Sequence, residues 1–528
     1  MAKKKSRTGN SILNLLSSLG GQLLITIFRF AVRTVFISVL GKAYLGVNGY
    51  FADVLNMLSL TELGFDTAIN FKLYKPLAEN DEKRVRMLMK FYKAAYRGVA
   101  LVILVLGLLL IPALPFLIKD YDKLAVIGIN APLIFILYLL QTVSSYMFFA
   151  YRSAIMKANQ KQYILNVADY AVNIVSNVTQ ILILILFKNF VIFTAAAVAF
   201  TILKNYVNAF IATKYYPQFF SAEPDSISRE EIWDLFKDCG ALFIYKVNGT
   251  VLKATDNMVL GGFCGMEMVG LYSNYLLFYT TIRTYLRQLY SAVKASTGNL
   301  FATEGIETKY RFFETMNYLT IILYGTAAVG VSVCADELLT AWIGTDYVIA
   351  KPFSVLVGLE ILTNGLKQNL GQIRTVTGVF RQAWKRPILS IIINLTASIV
   401  LVQFIGIYGV VIGTILADTM TNLSIDPKII HQYSFNNYKP VSAYYKKNAV
   451  YLLILVLTGA FDMWICSWLL TGYSWISVII HAVIVVLTVP TVYILIYWKT
   501  EESRYLRSII KRLLGIMKAK LFSSGHRQ

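Results

Sequence analysis

The sequence predicts an all-α protein that crosses a membrane about fourteen times, and three observations lead to this fold class. Hydrophobic residues make up 57% of the 528 residues, and long apolar runs recur from one end of the chain to the other. Short polar and proline-containing segments separate the runs. Basic residues gather in alternate segments, which is the charge pattern of a polytopic membrane protein. The net charge of +21 is therefore interpreted as an orientation signal, and no nucleic-acid partner is expected.

Each predicted span is a run long enough to cross the hydrocarbon core, which requires about 20 residues. The first run follows a short basic segment but is too long for the apolar region of a signal peptide, so we expect an uncleaved first helix. The predicted spans lie near residues 11–40, 44–71, 94–118, 124–150, 164–187, 190–213, 239–263, 268–296, 312–341, 352–377, 387–405, 408–431, 447–470 and 474–498.

The loop charges predict that both termini are cytoplasmic. With the N-terminus inside, most of the 50 basic residues fall in inside segments. The outside loops then hold only Lys42, Lys119, Lys123, Lys188 and Lys351. One missed span would destroy this asymmetry, so the positive-inside rule supports an even number of spans.

A short internal repeat predicts two related halves. Val39-Leu40-Gly41 matches Val259-Leu260-Gly261, and a loop longer by four residues in the second copy then aligns Gly46 with Gly270. Because an even number of spans separates the copies, we expect two parallel six-helix lobes related by a pseudo-two-fold axis along the membrane normal.

The repeat divides the chain into five expected parts. These are an N-lobe at 1–213, a cytoplasmic linker with an amphipathic helix at 214–238, a C-lobe at 239–431, two further helices at 432–498 and a basic amphipathic tail at 499–528. Basic amphipathic helices bind anionic lipid headgroups, so anionic membrane lipids are an expected partner of the tail.

Basic residues inside the predicted spans are the candidate binding site, since a charge at the bilayer centre costs about 2.5–3.5 kcal/mol. Paired cations share one face of the first helix and one face of the seventh, and at the repeat offset Arg33 falls on Lys253. Arginine grips phosphate oxygens bidentately and lysine acts as a point charge. We therefore expect a cationic cavity for an anionic substrate, lined by Arg29, Arg33, Lys246, Lys253, Arg283, Arg287 and Lys367.

Pairing with acids between helices is the alternative role of these cations. Asp256 lies one turn from Lys253, and Glu62 and Asp66 lie near the inner end of the second predicted span. These three acids are candidates for charge pairing or for coupling to an ion. Further acids that can pair in the spans are Asp53, Asp169, Glu360 and Asp418.

The sequence carries no enzyme motif. It lacks the phosphate-binding loop G-x-x-x-x-G-K-[ST], the nucleophile elbow G-x-S-x-G and the zinc motif H-E-x-x-H. The four cysteines and three histidines are too scattered to predict a metal site or a disulfide framework. We expect a protein that is not an enzyme, has no catalytic residue and needs no cofactor or metal. Its energy would come from an ion gradient, the membrane potential or consumption of its product.

Three motifs carry a resemblance to a known group. They are L-G-V-N-G-Y at 45–50, T-E-L-G-F-D-T-A at 61–68, and D-x-x-V-L-G followed by V-G-L-Y-x-x-Y between Asp256 and Tyr275. With these motifs the chain resembles the polysaccharide flippases of the multidrug/oligosaccharidyl-lipid/polysaccharide exporter superfamily over about residues 8–430.

The resemblance implies alternating access in a bacterial cytoplasmic membrane. The implied substrate is a polyprenyl-diphosphate-linked oligosaccharide repeat unit of the capsule, exopolysaccharide or O-antigen type, flipped from the inner to the outer leaflet. It also admits polysaccharide polymerase or assembly proteins as partners.

Three other functions stay open at this point. A flippase for a lipid-linked peptidoglycan precursor or teichoic-acid unit would use the same cations. A multidrug cation antiporter needs an acid in its lumen, and the first span contains no Asp or Glu. A membrane-embedded glycan polymerase or transferase needs a sizeable extramembrane loop, which none of the predicted outside loops provides.

Overall fold

The computed structural model describes residues 7–59, 65–220, 254–379, 381–469, 472 and 474–508, and every regular element within these ranges is helical. Eight helices in this part of the chain are long and apolar enough to cross a membrane, or nine if the bent pair Ala131–Met147 and Ala150–Ala158 is one span. The predicted all-α polytopic membrane fold is confirmed. The count of fourteen spans stays a prediction.

The chain divides into two compact units, Met1–Ser273 and Asn274–Gln528. The helices of the first unit are α1 (Arg7–Leu40), α2 (Lys42–Leu58), α3 (Phe65–Ala78), α4 (Glu82–Leu110), α5 (Leu114–Leu117), α6 (Tyr121–Val126), α7 (Ala131–Met147), α8 (Ser153–Ala158), α9 (Gln162–Phe187), α10 (Phe190–Tyr215) and α11 (254–263). Helix α12 (Met266–Thr303) begins in the first unit and continues into the second.

The second unit continues with helices that are longer on average. They are α13 (Ile306–Ile343), α14 (Lys351–Thr377), α15 (Lys385–Ile405), α16 (Ile407–Ala417), α17 (Ile425–Tyr433), α18 (Val441–Leu469), α19 (Trp475–Ile496) and α20 (501–508). A π segment, Asp418–Asn422, joins α16 to α17, so the predicted span near 408–431 is not one regular helix. Most of the predicted linker and the tail beyond residue 508 lie outside the described residues.

In the first unit α1 packs on α9, and α7 packs on α4 and α10. Side-chain caps fix where these helices begin. Asn130 accepts a hydrogen bond from the Leu133 amide at the start of α7, and Asn189 accepts from the amides of Val191 and Ile192 at the start of α10. Such caps satisfy amide groups that have no partner within the helix.

In the second unit α13 is the central element. It packs against α14, α18 and α19. In its most apolar 18-residue stretch, 72% of the residues are buried. Tyr318, Tyr451 and Tyr493 fill the core that it shares with α18 and α19, and the Tyr318 hydroxyl donates to the backbone oxygen of Tyr493 at 3.0 Å. A buried tyrosine is stable in such a core because its hydroxyl finds an acceptor.

Two glycine turns connect α1 to α2 and α11 to α12. Gly41 has φ +87° and Gly265 has φ +86°, values that glycine adopts without the steric cost of a Cβ. Helix α11 continues through Gly261 to residue 263. The predicted longer loop in the second copy is therefore wrong, because the extra residues lengthen the helix and leave the turn as short as the first one.

Helices α2 and α12 cross at a pair of glycines that the repeat aligns. A Cβ on Gly46 would lie 1.8 Å from the backbone oxygen of Met266, and a Cβ on Gly270 would lie 2.1 Å from that of Lys42. The Lys42–Glu267 ion pair, at 3.1 Å, flanks the crossing. Small residues allow membrane helices to approach this closely, so the crossing requires glycine at both positions.

We expect Gly46→Ala to destabilise the protein by about 1–3 kcal/mol, because the new methyl group would force the backbones of α2 and α12 apart. Gly49→Ala is the matched control, since it lies one turn later in α2 and its Cβ would meet nothing within 4 Å. Thermal unfolding in detergent measures the difference. An equal melting temperature for the two variants would contradict a tight crossing.

The start of the C-terminal segment is tied to α13 and α18 by ion pairs. Lys447 donates to Glu314 at 3.0 Å and also to Glu502, whose side chain is 9% exposed. Burial alone would raise the pKa of the Glu502 carboxyl, but the hydrogen bond from Lys447 and the positive charge outweigh it and hold this pKa below its ordinary value. Arg507 also lies over the Trp498 ring at 3.8 Å, which docks α20.

Glu502→Gln should lower the free energy of unfolding by about 1.5–3 kcal/mol at pH 7, because it removes a charged hydrogen bond. The pKa of the Glu502 carboxyl is depressed in the folded state. Wild type is therefore more stable than Glu502→Gln by the full amount above the ordinary carboxyl pKa of about 4.3. This difference in stability disappears as the pH falls through the folded-state pKa. Melting temperatures between pH 7 and pH 3.5 measure this. Glu501→Gln, at an exposed neighbour, is the control. Equal stability of wild type and Glu502→Gln at pH 7 would count against the ion pair.

Candidate functional site

The first unit holds the arginine pair of α1. Arg33 is half-buried, and its Nη2 donates to the hydroxyl of Ser273 on α12, which itself donates to the Gly270 backbone oxygen at 2.7 Å. Arg29, one turn earlier, is exposed, and no acid that pairs with it lies among the described residues. One arginine of the pair is thus oriented by a neutral hydroxyl, while the other projects outward from the helix.

Aligning the two copies at their glycine turns, Gly41 and Gly265, changes which residue corresponds to Arg33. Arg33 lies eight residues before Gly41, and the residue eight before Gly265 is Asn257, although the sequence offset pointed to Lys253. Asn257 is buried and its amide donates to the Asp53 carboxylate on α2. At this distance from the turn, α1 therefore carries a cation and α11 carries a neutral amide.

Several predicted residues cannot be placed. Lys246, Lys253 and Glu62 lie outside the described residues, and so does the side chain of Asp66, although its backbone belongs to α3. Asp256 lies in α11 and is buried, with 7% of its surface exposed. The roles predicted for these residues stay predictions.

In the second unit Lys367 is held by an acid. Its Nζ lies 2.7 Å and 3.0 Å from the two carboxylate oxygens of Asp418, in the π segment. The Asn422 amide donates to the same carboxylate at 2.7 Å. Asp418 is 3% exposed, so this is a buried ion pair that joins α14 to the chain between α16 and α17.

A second acid lies on the same face of α14. Glu360 is seven residues before Lys367, is 7% exposed, and interacts with the charges of Lys367, Asp418 and Arg283. It also accepts a hydrogen bond from Tyr279, and the Arg283 guanidinium lies 5.8 Å from the centre of that tyrosine ring. Two cations and two carboxylates therefore form one network, whose formal charges cancel.

Arg287 differs from Arg283, one turn before it on α12. It is exposed, and both arginines interact electrostatically with the Tyr324 hydroxyl of α13. Of the cations predicted in the second unit, Lys367 is the one in an ion pair with a carboxylate, and Arg287 is the exposed one. The sequence did not single out Tyr279 or Asn422, although the seven-residue spacing of Glu360 and Lys367 already placed an acid beside the cation.

A separate ion-pair network lies where α14, α15 and α17 meet. Asp426 accepts from Arg374 at 2.6 Å and pairs with Arg386 at 3.2 Å, and its side chain is 1% exposed. The charge count assigned both arginines to an inside segment as orientation signals. The structure shows that they also hold three helices together.

Among the described residues, no group of three or more His, Cys, Asp or Glu side chains could hold a metal ion. The guanidinium and ammonium groups described above bind anions through charge-assisted hydrogen bonds.

Two solved structures share this fold. The lipid II flippase MurJ, in an inward closed conformation, has a TM-score of 0.65 and 14% sequence identity, and covers 91% of this chain and 98% of its own. An inward-facing multidrug resistance MATE family transporter of the MOP superfamily has a TM-score of 0.55, also at 14% identity, over 80% of this chain and 98% of its own. No protein-family profile and no curated protein sequence matches the chain. The likeness shows that this chain has a fold used by flippases and transporters.

Lys367→Met should destabilise the protein by about 3–5 kcal/mol, because it leaves the Asp418 carboxylate buried without its counter-ion. Replacing both partners, in Lys367→Met with Asp418→Leu, should recover most of that loss. Chemical unfolding in detergent measures both variants, and Lys428→Met, at an exposed position, is the control. Additive losses in the double variant would show that the two side chains do not interact.

Proposed function

We propose that this protein is a flippase that moves polyprenyl-diphosphate-linked oligosaccharide repeat units across a bacterial cytoplasmic membrane by alternating access. The observation that carries the proposal is the arginine pair of α1, in a span without any acidic residue. A cation in a span is costly unless it meets water, a polar partner or an anion. A diphosphate supplies that anion.

The contacts of the two arginines suit this role. Arg33 donates to the neutral hydroxyl of Ser273, and this bond orients the guanidinium. Arg29 is exposed and can approach a phosphate oxygen directly. Guanidinium groups match phosphate geometry better than ammonium groups do, because they donate two parallel hydrogen bonds.

The cations of the second unit have a different part in the proposal. Lys367 forms an ion pair with Asp418, so it binds a phosphate only if the phosphate displaces that carboxylate, and Arg283 interacts with the charge of Glu360. Arg287 is exposed and contributes a further positive charge. The diphosphate therefore depends mainly on Arg29 and Arg33 of the first unit, while the charge network of the second unit holds its own helices together.

The glycine crossing supports an alternating-access cycle. Backbones in direct contact at Gly46 and Gly270 can separate without breaking interlocked side chains, since neither residue has one. The Lys42–Glu267 pair beside them is 38% and 64% exposed and gives little resistance to opening. We propose that α2 and α12 part at this crossing when the substrate leaves on the outer side.

The second candidate is a flippase for a lipid-linked peptidoglycan precursor, and the likeness to the lipid II flippase MurJ favours it. A teichoic-acid unit would use the same cations. A multidrug cation antiporter is disfavoured, because α1 presents positive charge and has no acid to bind a cationic drug.

Arg29→Gln and Arg33→Gln should each reduce translocation of a lipid-linked oligosaccharide in reconstituted vesicles by about tenfold or more, since each removes a charged hydrogen bond to phosphate. Lys188→Gln, at an exposed position between α9 and α10, is the control and should keep full activity. The protein level in the vesicles is measured alongside the rate.

The same vesicles distinguish the candidates. Translocation of an oligosaccharide carrier supports the proposal, whereas translocation of lipid II alone supports the second candidate. Efflux of a cationic dye with no movement of either lipid would reject both.

A further inference from the structure

A cavity of about 520 Å³ lies beside the ends of α13 and α18 and the start of α14. Glu337, Lys351 and Cys466 are among its lining residues, and Thr345, which also lines it, is exposed in the connection between α13 and α14. The predicted orientation places this connection on the outer side of the membrane. The cavity gives water from that side access to the Glu337 carboxylate.

A completely buried histidine lies behind this carboxylate. His481 of α19 has no exposed surface, and its Nδ1 lies 2.7 Å from Oε2 of Glu337, whose side chain is 21% exposed. Its second nitrogen, Nε2, has no hydrogen-bond partner within the described ranges. One carboxylate thus links a buried imidazole to the cavity.

A buried acid, Asp462, lies farther along the contact between α18 and α19. Asp462 of α18 has no exposed surface and accepts a hydrogen bond from Thr488 of α19 at 2.8 Å, while its other oxygen has no partner in the described part of the chain. Thr488 lies seven residues after His481 and so on the same face of α19. Polar groups therefore continue from the cavity along the contact of α19 with α13 and α18.

The other charged groups near the cavity are already engaged. Asp336 accepts from the hydroxyls of Tyr275 and Ser354, and Lys351 donates to the backbone oxygen of Val333 at 2.9 Å. The thiols of Cys334 and Cys466 are the remaining titratable groups that interact with Glu337. Neither thiol takes up a proton near neutral pH, because each is already protonated there. The pair of Glu337 and His481 is left as the group that can change its charge.

Imidazole is the side chain whose charge changes most readily between pH 5 and pH 8. In its neutral form His481 donates its Nδ1–H to Glu337. Taking up one proton from the cavity makes the ring a cation, which then forms an ion pair with the same carboxylate. Ionisable side chains that are buried in spans and paired with one another commonly form proton pathways.

We propose that Glu337 and His481 form a proton-binding site through which the pH of the outer side acts on this protein. The ligand is a proton that enters by the cavity between α13, α14 and α18. The proton would then be the coupling ion of transport, and this second step rests on the proposed flippase function.

The binding step is tested without any substrate. The chain has three histidines, His431, His481 and His526, so protein labelled with ¹⁵N-histidine gives few resonances, and the His481 signals are those absent from His481→Gln. We expect these signals to change with pH in wild type. Glu337→Gln should alter that pH dependence, since it removes the counter-charge that faces the ring.

The coupling step is tested in vesicles that translocate a lipid-linked oligosaccharide. An outside-acidic gradient should stimulate wild type and the control Asp346→Asn, an exposed acid in the connection between α13 and α14. Glu337→Gln and His481→Gln should lose the stimulation but keep translocation down the substrate gradient.

Three results would overturn the proposal. They are a His481 signal that stays constant between pH 5 and pH 8, unchanged stimulation in both variants, and stimulation by a sodium gradient alone. Absence of translocation in wild type would reject the proposed substrate, while the titration would still decide whether the proton site exists.

Discussion

The cost of placing a charge in hydrocarbon governs the interior of this protein. Several cations and acids inside the described helices face an opposite charge or a polar neighbour. Lys367 and Asp418 compensate one another, Arg33 is held by a hydroxyl, and the buried His481 faces a carboxylate. The differences among these solutions separate structural charges from charges that can bind.

Compensated charges hold the second unit together. The network around Asp418 joins α14 to the π segment, and the network around Asp426 joins α14, α15 and α17. Buried pairs of this kind contribute less to net stability than to the choice of one packing, because desolvation offsets most of their attraction. Both networks lie on α14, which also packs on α13, so this one helix is fixed to several neighbours at once.

Composition and charge were enough to predict the fold class, since apolar runs and the positive-inside rule depend only on local sequence. The capped start of α7 at Asn130 could also be predicted from residue types. Contacts between residues on different helices could not be predicted in this way. The pairing of Lys367 with Asp418 depends on the π segment that holds Asp418. The turn at Gly265 depends on a positive φ, which the neighbouring residue types do not specify. The sequence match at Gly261 pointed to a turn where the helix continues.

The extended α11 has a consequence for how a duplicated chain diverges. Residues that match between the two copies lie four positions farther from the turn in the second copy, a rise of about 6 Å along the helix. Positions that a sequence match treats as equivalent therefore lie at different heights above their turns. One added helical turn is enough to make two matched sites inequivalent, even though the turns themselves keep the same length.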